Sequence, residues 1–301
     1  TATSTASVYK YTLAAQPNLP TTNTSTITTL GPIIDVTGNS PTTTYAIFNT
    51  TTLNFLAADG SSAGLSPVWQ TTSTWGANFL ATGLATNTLY QFVVVARNGN
   101  NTTTATSTAS VYKYTLAAQP NAPTVGTPTI LTLPITINET GNSATTTYSI
   151  FNTTTLNYLD SAGASTSTVV WQTTSTWGAS FAATGLATNT VYRFVITARN
   201  GNNTTTATST FSTAKYTLAP VPVTLTVAGS ANGLTFSWTG ESTNYYAEDV
   251  TAGANSTWIT GTSYSTGALS CGTTHSFRVK GRNADSTETA FADAVSGATN
   301  A

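Results

Sequence analysis

One histidine, one cysteine and ten carboxylates are the whole inventory from which this 301-residue chain could build a reactive centre. A Ser-His-acid or Cys-His site would have to use His275, which stands between Thr274 and Ser276 in an alternating run. That is the setting of a strand residue rather than of a base held beside its nucleophile. Cys271 is alone, so it cannot close an intrachain disulfide, and it reads as a small structural thiol. Asp35, Asp59, Glu139 and Asp160 are dispersed, and only Glu248-Asp249 and Asp285 with Glu288 bring acids together. No cluster of His, Cys and acids has zinc spacing, no Asp-x-Asp-x-Asp loop suggests calcium, and no Gly-rich loop opens a helix. The sequence therefore predicts no catalytic residue, no metal site and no cofactor, and a chain that is not an enzyme.

Two further residue sets could act by contact. Trp69 with Trp75, and Trp171 with Trp177, could form a sugar-stacking platform, but their flanking Val-Trp and Trp-Gly pairs fit core packing better. Sequons are dense, and Asn49, Asn101, Asn152, Asn203 and Asn255 are the candidate glycosylation sites. A chain this rich in Asn and Thr also produces such triplets by chance.

The elements that must position these residues are strands. Threonine supplies 72 residues, methionine is absent, and good helix formers are scarce. From Leu89 to Arg97 one face carries Tyr90, Phe92, Val94 and Ala96, and the other carries Gln91 and Arg97. Tyr192, Phe194, Ile196 and Ala198 repeat the pattern, and His275, Phe277 and Val279 keep it against Arg278 and Lys280. This period of two is that of a half-buried strand. Asn98-Gly99 and Asn200-Gly201 follow at once and predict tight hairpin turns with positive φ. No apolar run approaches the roughly 20 residues that cross a bilayer.

The chain repeats. Thr1 to Pro17 recurs unchanged at Thr104 to Pro120, Tyr45 to Asn54 returns with one change as Tyr148 to Asn157, and Trp69 to Gly76 returns as Trp171 to Gly178. Gly267 to Asn283 aligns more loosely with Gly83 to Asn98. The expected domains are residues 1–17, an orphan last strand of an upstream or neighbouring repeat; 18–119 and 120–219, two repeats; and 220–301, a divergent third domain. The links around Pro120 and Pro220 hold no Gly/Ser tract, which predicts limited interdomain angles.

Gly83 to Phe92 and Gly185 to Phe194, with Leu, Thr and Tyr at tyrosine-corner spacing, resemble fibronectin type III domains, as does Leu234-Thr235-Phe236-Ser237-Trp238 with its strand-B Trp. The first two units lack that Trp, and the third has His275 in place of the corner Tyr. The Phe-Asn, Trp-Gln, Trp-Gly and Ala-Arg-Asn-Gly signatures also resemble fibronectin-like repeats of bacterial cell-surface proteins. The resemblance implies an all-β rod of tandem fibronectin type III/immunoglobulin-like β-sandwiches, serving as a spacer, adhesive or structural module.

Net charge is −1, so nucleic acid and anionic membranes would find no electrostatic footprint, and self-association is favoured. The expected role is an extracellular or cell-surface structural protein, a stalk or filament subunit whose partner is another copy of the repeat. Val8, Tyr9, Tyr11 and Leu13 are the candidate assembly strand, joining a neighbour by β-augmentation. The alternative is an adhesin or carbohydrate-binding array that takes surface glycans at its tip loops. The identical tips at 97–104 and 199–206 favour structure, because evolved ligand sites more often differ between copies.

Overall fold

A computed structural model of the chain describes residues 4–139, 141–206 and 208–300. The alternation at 274–282 produces a long half-buried strand, Thr274–Arg282, with His275, Phe277, Val279 and Gly281 inward. It lies in a four-stranded antiparallel sheet, in the order Ala254–Ile259, Asn244–Asp249, Thr274–Arg282, Val295–Ala298. Facing it are Val223–Ser230, Gly233–Thr239 and Ser263–Ser265 in that order. Phe236, Trp238, Tyr245, Phe277 and Val279 fill the space between the sheets. Each such side chain contributes about 1.5–3 kcal/mol by leaving water. Three strands against four, in this order, is the strand arrangement of a fibronectin type III sandwich.

The two repeats use the same plan with shorter strands. Thr44–Asn49 pairs with Phe92–Arg97, and Thr147–Asn152 with Phe194–Arg199, setting Tyr45 opposite Ala96 and Tyr148 opposite Ala198. Each repeat has its own core, centred on Leu30, Tyr45, Ile47 and Phe92 in the first and on Leu133, Tyr148, Ile150 and Phe194 in the second. The tyrosine corners are formed: Tyr90 Oη accepts from Ala85 N–H at 2.8 Å, and Tyr192 Oη from Ala187 N–H at 2.9 Å. Single helical turns at Thr72–Trp75 and Thr174–Trp177, which no apolar period announced, start on capping Thr71 and Thr173 and press Trp75 and Trp177 into the cores.

Three local features differ from expectation. Gly99 and Gly201 do not take positive φ; Asn101 and Asn203 do, both at 62°, so each turn is longer than a two-residue hairpin. The last strand of the third domain is regular only over Val295–Ala298; residues 289 and 292 follow the neighbouring strand through isolated bonds to Gly281 and Val279. The last strand of each repeat is regular only at Lys113–Tyr114 and Lys215–Tyr216. Upstream of Lys113, Ser107 and Ser110 alternate roles: their N–H groups donate to Val94 and Phe92 carbonyls at 2.9 and 2.8 Å. Their hydroxyls accept from the N–H groups of the same two residues, both at 2.9 Å. A hydroxyl standing in for a carbonyl stretches the repeat from two residues to three.

Candidate functional site

The side chains that a reactive centre would have had to use are hydrogen-bonded within the fold. His275 Nδ1 lies 2.7 Å from Asp249 Oδ2, and both residues are buried. The same Asp249 caps the next turn by accepting from Thr251 and Ala252 N–H at 3.0 and 3.1 Å. Asp35, Asp59 and Asp160 cap turns likewise, through Thr37, Ser61 and Ala162 N–H. The hydroxyl of Thr37 holds the Asp35 carboxyl below the usual range, and that of Ser61 does the same for Asp59. Cys271 is exposed. Among the described residues no three His, Cys, Asp or Glu side chains come together to hold a metal ion.

The Trp pairs divide. Trp75 and Trp177 are core: each Nε1 donates to a backbone carbonyl, of Tyr45 and Tyr148, at 3.0 Å. Trp69 and Trp171 are half-buried, and the guanidinium of Arg97 or Arg199 covers each ring at 4.6 Å. The candidate glycosylation sites divide too. Asn49 and Asn152 are 1% exposed, and each Oδ1 accepts from two N–H groups of the following turn, which leaves no room for a sugar on the folded domain. That expectation is corrected, whereas Asn101, Asn203 and Asn255 are exposed.

The most developed polar constellation is the junction between the repeats. Its first component is the corner Thr86-Asn87 of the first repeat. Asn87 Nδ2 donates to Thr146 Oγ1 at 2.8 Å, its Oδ1 accepts from Gly201 N–H at 2.9 Å, and Thr86 Oγ1 donates to the Gly141 carbonyl at 3.0 Å. The second component is the outgoing strand. Ala118 and Asn142 exchange two bonds at 2.7 and 3.0 Å, Asn200 Nδ2 donates to the Thr115 carbonyl at 3.0 Å, and Gln119 Nε2 to the Thr208 carbonyl at 2.7 Å. The third is steric: a Cβ on Gly201 would lie 2.3 Å from Tyr114 Cζ. Gly201 is therefore glycine because a ring from the preceding domain lies on it, not because of its φ.

The second junction keeps the corner and changes the receiver. Asn189 Nδ2 donates to the Glu241 carbonyl at 2.7 Å and Thr188 Oγ1 to the Glu241 carboxylate. Asn283 Nδ2 donates to the Thr217 carbonyl at 3.1 Å, and Lys215 pairs with Asp285 at 3.8 Å.

Half of the first junction recurs at the entry face of the first repeat. Ala15 and Asn39 exchange two bonds at 2.8 and 3.1 Å, Asn98 Nδ2 donates to the Thr12 carbonyl at 2.9 Å, and Gln16 Nε2 to the Thr106 carbonyl at 2.7 Å. Tyr11 covers Gly99 as Tyr114 covers Gly201. The preceding strand is bare. Val8 is 85% and Tyr9 98% exposed, and among the described residues 4–10 no hydrogen bond is made. Yet Val111 and Tyr112, their counterparts in the completed repeat, stay 69% and 58% exposed. There the strand buries Ser107, Ser110, Thr115 and Ala117, the counterparts of Ser4, Ser7, Thr12 and Ala14, and half-buries Tyr114 and Leu116, the counterparts of Tyr11 and Leu13. Of the four apolar candidates, the completed repeat half-buries the counterparts of Tyr11 and Leu13 and leaves those of Val8 and Tyr9 exposed, while the hydroxyl residues three apart make the strand's hydrogen bonds.

No protein family and no curated relative matches the chain. Among solved structures it is similar to the chicken CNTN1 FN1-FN3 domains, at 14% identity over 95% of this chain and 99% of that one, with a TM-score of 0.30. A two-domain fibronectin type III segment of chicken tenascin is 16% identical over 61% of this chain and 100% of that one, with a TM-score of 0.38. The structure of FN3tt is 20% identical over 28% of this chain and 97% of that one, with a TM-score of 0.25.

Proposed function

We propose that this chain is a non-enzymatic, extracellular structural segment: a repeat-built surface stalk or filament that holds its sandwiches at fixed angles. The observation that carries this reading is the junction. Each corner asparagine reaches across to the next domain, and the outgoing strand is fastened on the far side, so two anchor points resist bending. Among the described residues, the charged groups that bond across a junction are Lys215, Asp285 and Glu241, all at the second. Exposed Asn101, Asn203 and Asn255 are the glycosylation sites of such a stalk, checked by mass spectrometry of protein from its native source. The adhesin reading is weaker, because Arg97 and Arg199 occupy the faces of the half-buried Trp rings that a sugar would need.

Small-angle scattering of the chain and of the Asn87→Ala, Asn189→Ala double variant tests the reading. The expected result is a stiff three-domain particle that becomes flexible in the variant. Scattering of an already flexible string from the unaltered chain sinks it.

A further inference from the structure

Resting on that structural reading, we propose that the entry face of the first repeat is a docking site for another sandwich of the same repeat type. That sandwich lacks a last strand of its own, and residues 4–13 complete it. The partner is thereby specified by chemistry: a β-sandwich with a strand like Phe92–Arg97 and a Thr-Asn corner like Thr86-Asn87.

Three observations converge. The first is identity of sequence: residues 4–13 are residues 107–116 over again, so the groups by which Ser107, Ser110 and Thr115 fasten the last strand of the first repeat are all present. In that repeat the N–H groups of Ser107, Ser110 and Thr115 donate to Val94, Phe92 and Thr88 carbonyls at 2.9, 2.8 and 3.1 Å. Thr115 Oγ1 also accepts from Thr88 N–H at 3.0 Å and donates to the Ala85 carbonyl at 2.7 Å. Ser4, Ser7 and Thr12 carry the same groups and are exposed.

The second observation is the unfilled half of the junction. The outgoing-strand bonds are all made at the entry face, through Asn39, Asn98 and Thr106. The corner bonds are not. Gly99 N–H and Thr43 Oγ1, the counterparts of Gly201 N–H and Thr146 Oγ1, have no hydrogen-bond partner in the described structure. A corner asparagine placed as Asn87 is placed would bond to both.

The third observation excludes the third domain of a second copy as occupant. Its last strand, Val295–Ala298, already pairs with Thr274–Phe277. Thr273 N–H donates to Thr299 Oγ1 at 3.0 Å, as Thr88 N–H does to Thr115 Oγ1, which fixes the corner alignment. Cys271 and Gly272 therefore stand where Thr86 and Asn87 grip the next domain. Gly272 has no side chain to make either bond, so that corner cannot fill the entry face.

The test mixes the full chain with a polypeptide of residues 18–103, the first repeat without its last strand. The expected result is a 1:1 complex by sedimentation, with the amides of Ser4, Ser7 and Thr12 turning slow to exchange. Ser7→Pro in the full chain, which removes one donor from an exposed segment without touching a core, abolishes the complex. Asn87→Ala in the added polypeptide weakens it about thirtyfold, the loss of two neutral hydrogen bonds of about 1 kcal/mol net each. A complex that Ser7→Pro leaves intact, or that protects other amides, overturns the proposal.

Should the polypeptide be insoluble alone, it is joined in front of Thr1, and fast exchange at Ser4, Ser7 and Thr12 in that chain also overturns it. A stiff particle with no strand completion refutes only this proposal, whereas a flexible chain refutes the structural reading beneath it.

Discussion

Burial pushes the Tyr148 hydroxyl up to about 12, and the nearby Glu139 carboxylate adds to the rise, while bonds to Asn142 and Thr146 oppose it. The phenol is neutral in the fold and its anion is disfavoured. An unfolded tyrosine ionises near pH 10. Below that pH both states hold the proton and stability is unaffected. Between about 10 and 12 only the unfolded chain releases it, so stability falls as pH rises. Tyr45, Tyr245 and Tyr264 are raised by burial as well and add to the same slope. Thermal melts from pH 8 to 11 should therefore show a falling midpoint, with a shallower fall in Tyr148→Phe. Equal slopes in the two proteins would mean that Tyr148 ionises freely in the fold.

The element that couples the repeats is the last strand with the turn it meets, and Gly201 is its most sensitive point. Ala at 201 needs no unusual φ, so the strain is purely that of a methyl group against the Tyr114 ring, whose three nearest atoms lie at 2.3, 2.6 and 2.7 Å. Overpacking of this kind costs about 1–3 kcal/mol. Gly201→Ala should broaden the distance distribution between spin labels in the two repeats. Gly99→Ala, which presses instead on Tyr11, should leave that distribution unchanged. Broadening by both variants would place the effect within the turn rather than at the junction.

The sandwich was legible because period-two burial is written into Tyr90, Phe92, Val94 and Ala96, and the tyrosine corner into Leu84 through Tyr90. The junction was not. Asn87 and Gly201 are 114 positions apart, and a polar residue that bonds across domains looks in sequence like any loop residue. The dipeptide Asn-Gly was misread for a related reason: its glycine serves a ring that arrives from another domain. Ser107 and Ser110 escaped notice because a strand held partly by hydroxyls abandons the alternation that reveals strands.

At the scale of the whole molecule the scarcity of charge becomes a mechanical property. Nine basic and ten acidic groups serve 301 residues, and among the described residues the junction between the repeats is fastened by amide, hydroxyl and backbone groups. Salt screens charges, with a Debye length of about 3 Å at 1 M, and leaves neutral hydrogen bonds nearly untouched. The second junction differs, because Lys215 meets Asp285 at 3.8 Å with both side chains about one-third exposed. An exposed pair of this kind contributes about 0–1 kcal/mol and loses it to salt. Spin-label distances across the first junction should stay the same from low salt to 1 M, while those across the second broaden slightly. Because Asn189, Asn283 and the Glu241 carbonyl still fasten the second junction without that pair, it should loosen rather than open. Equal broadening at both junctions would contradict this division, since among the described residues no ion pair crosses the first.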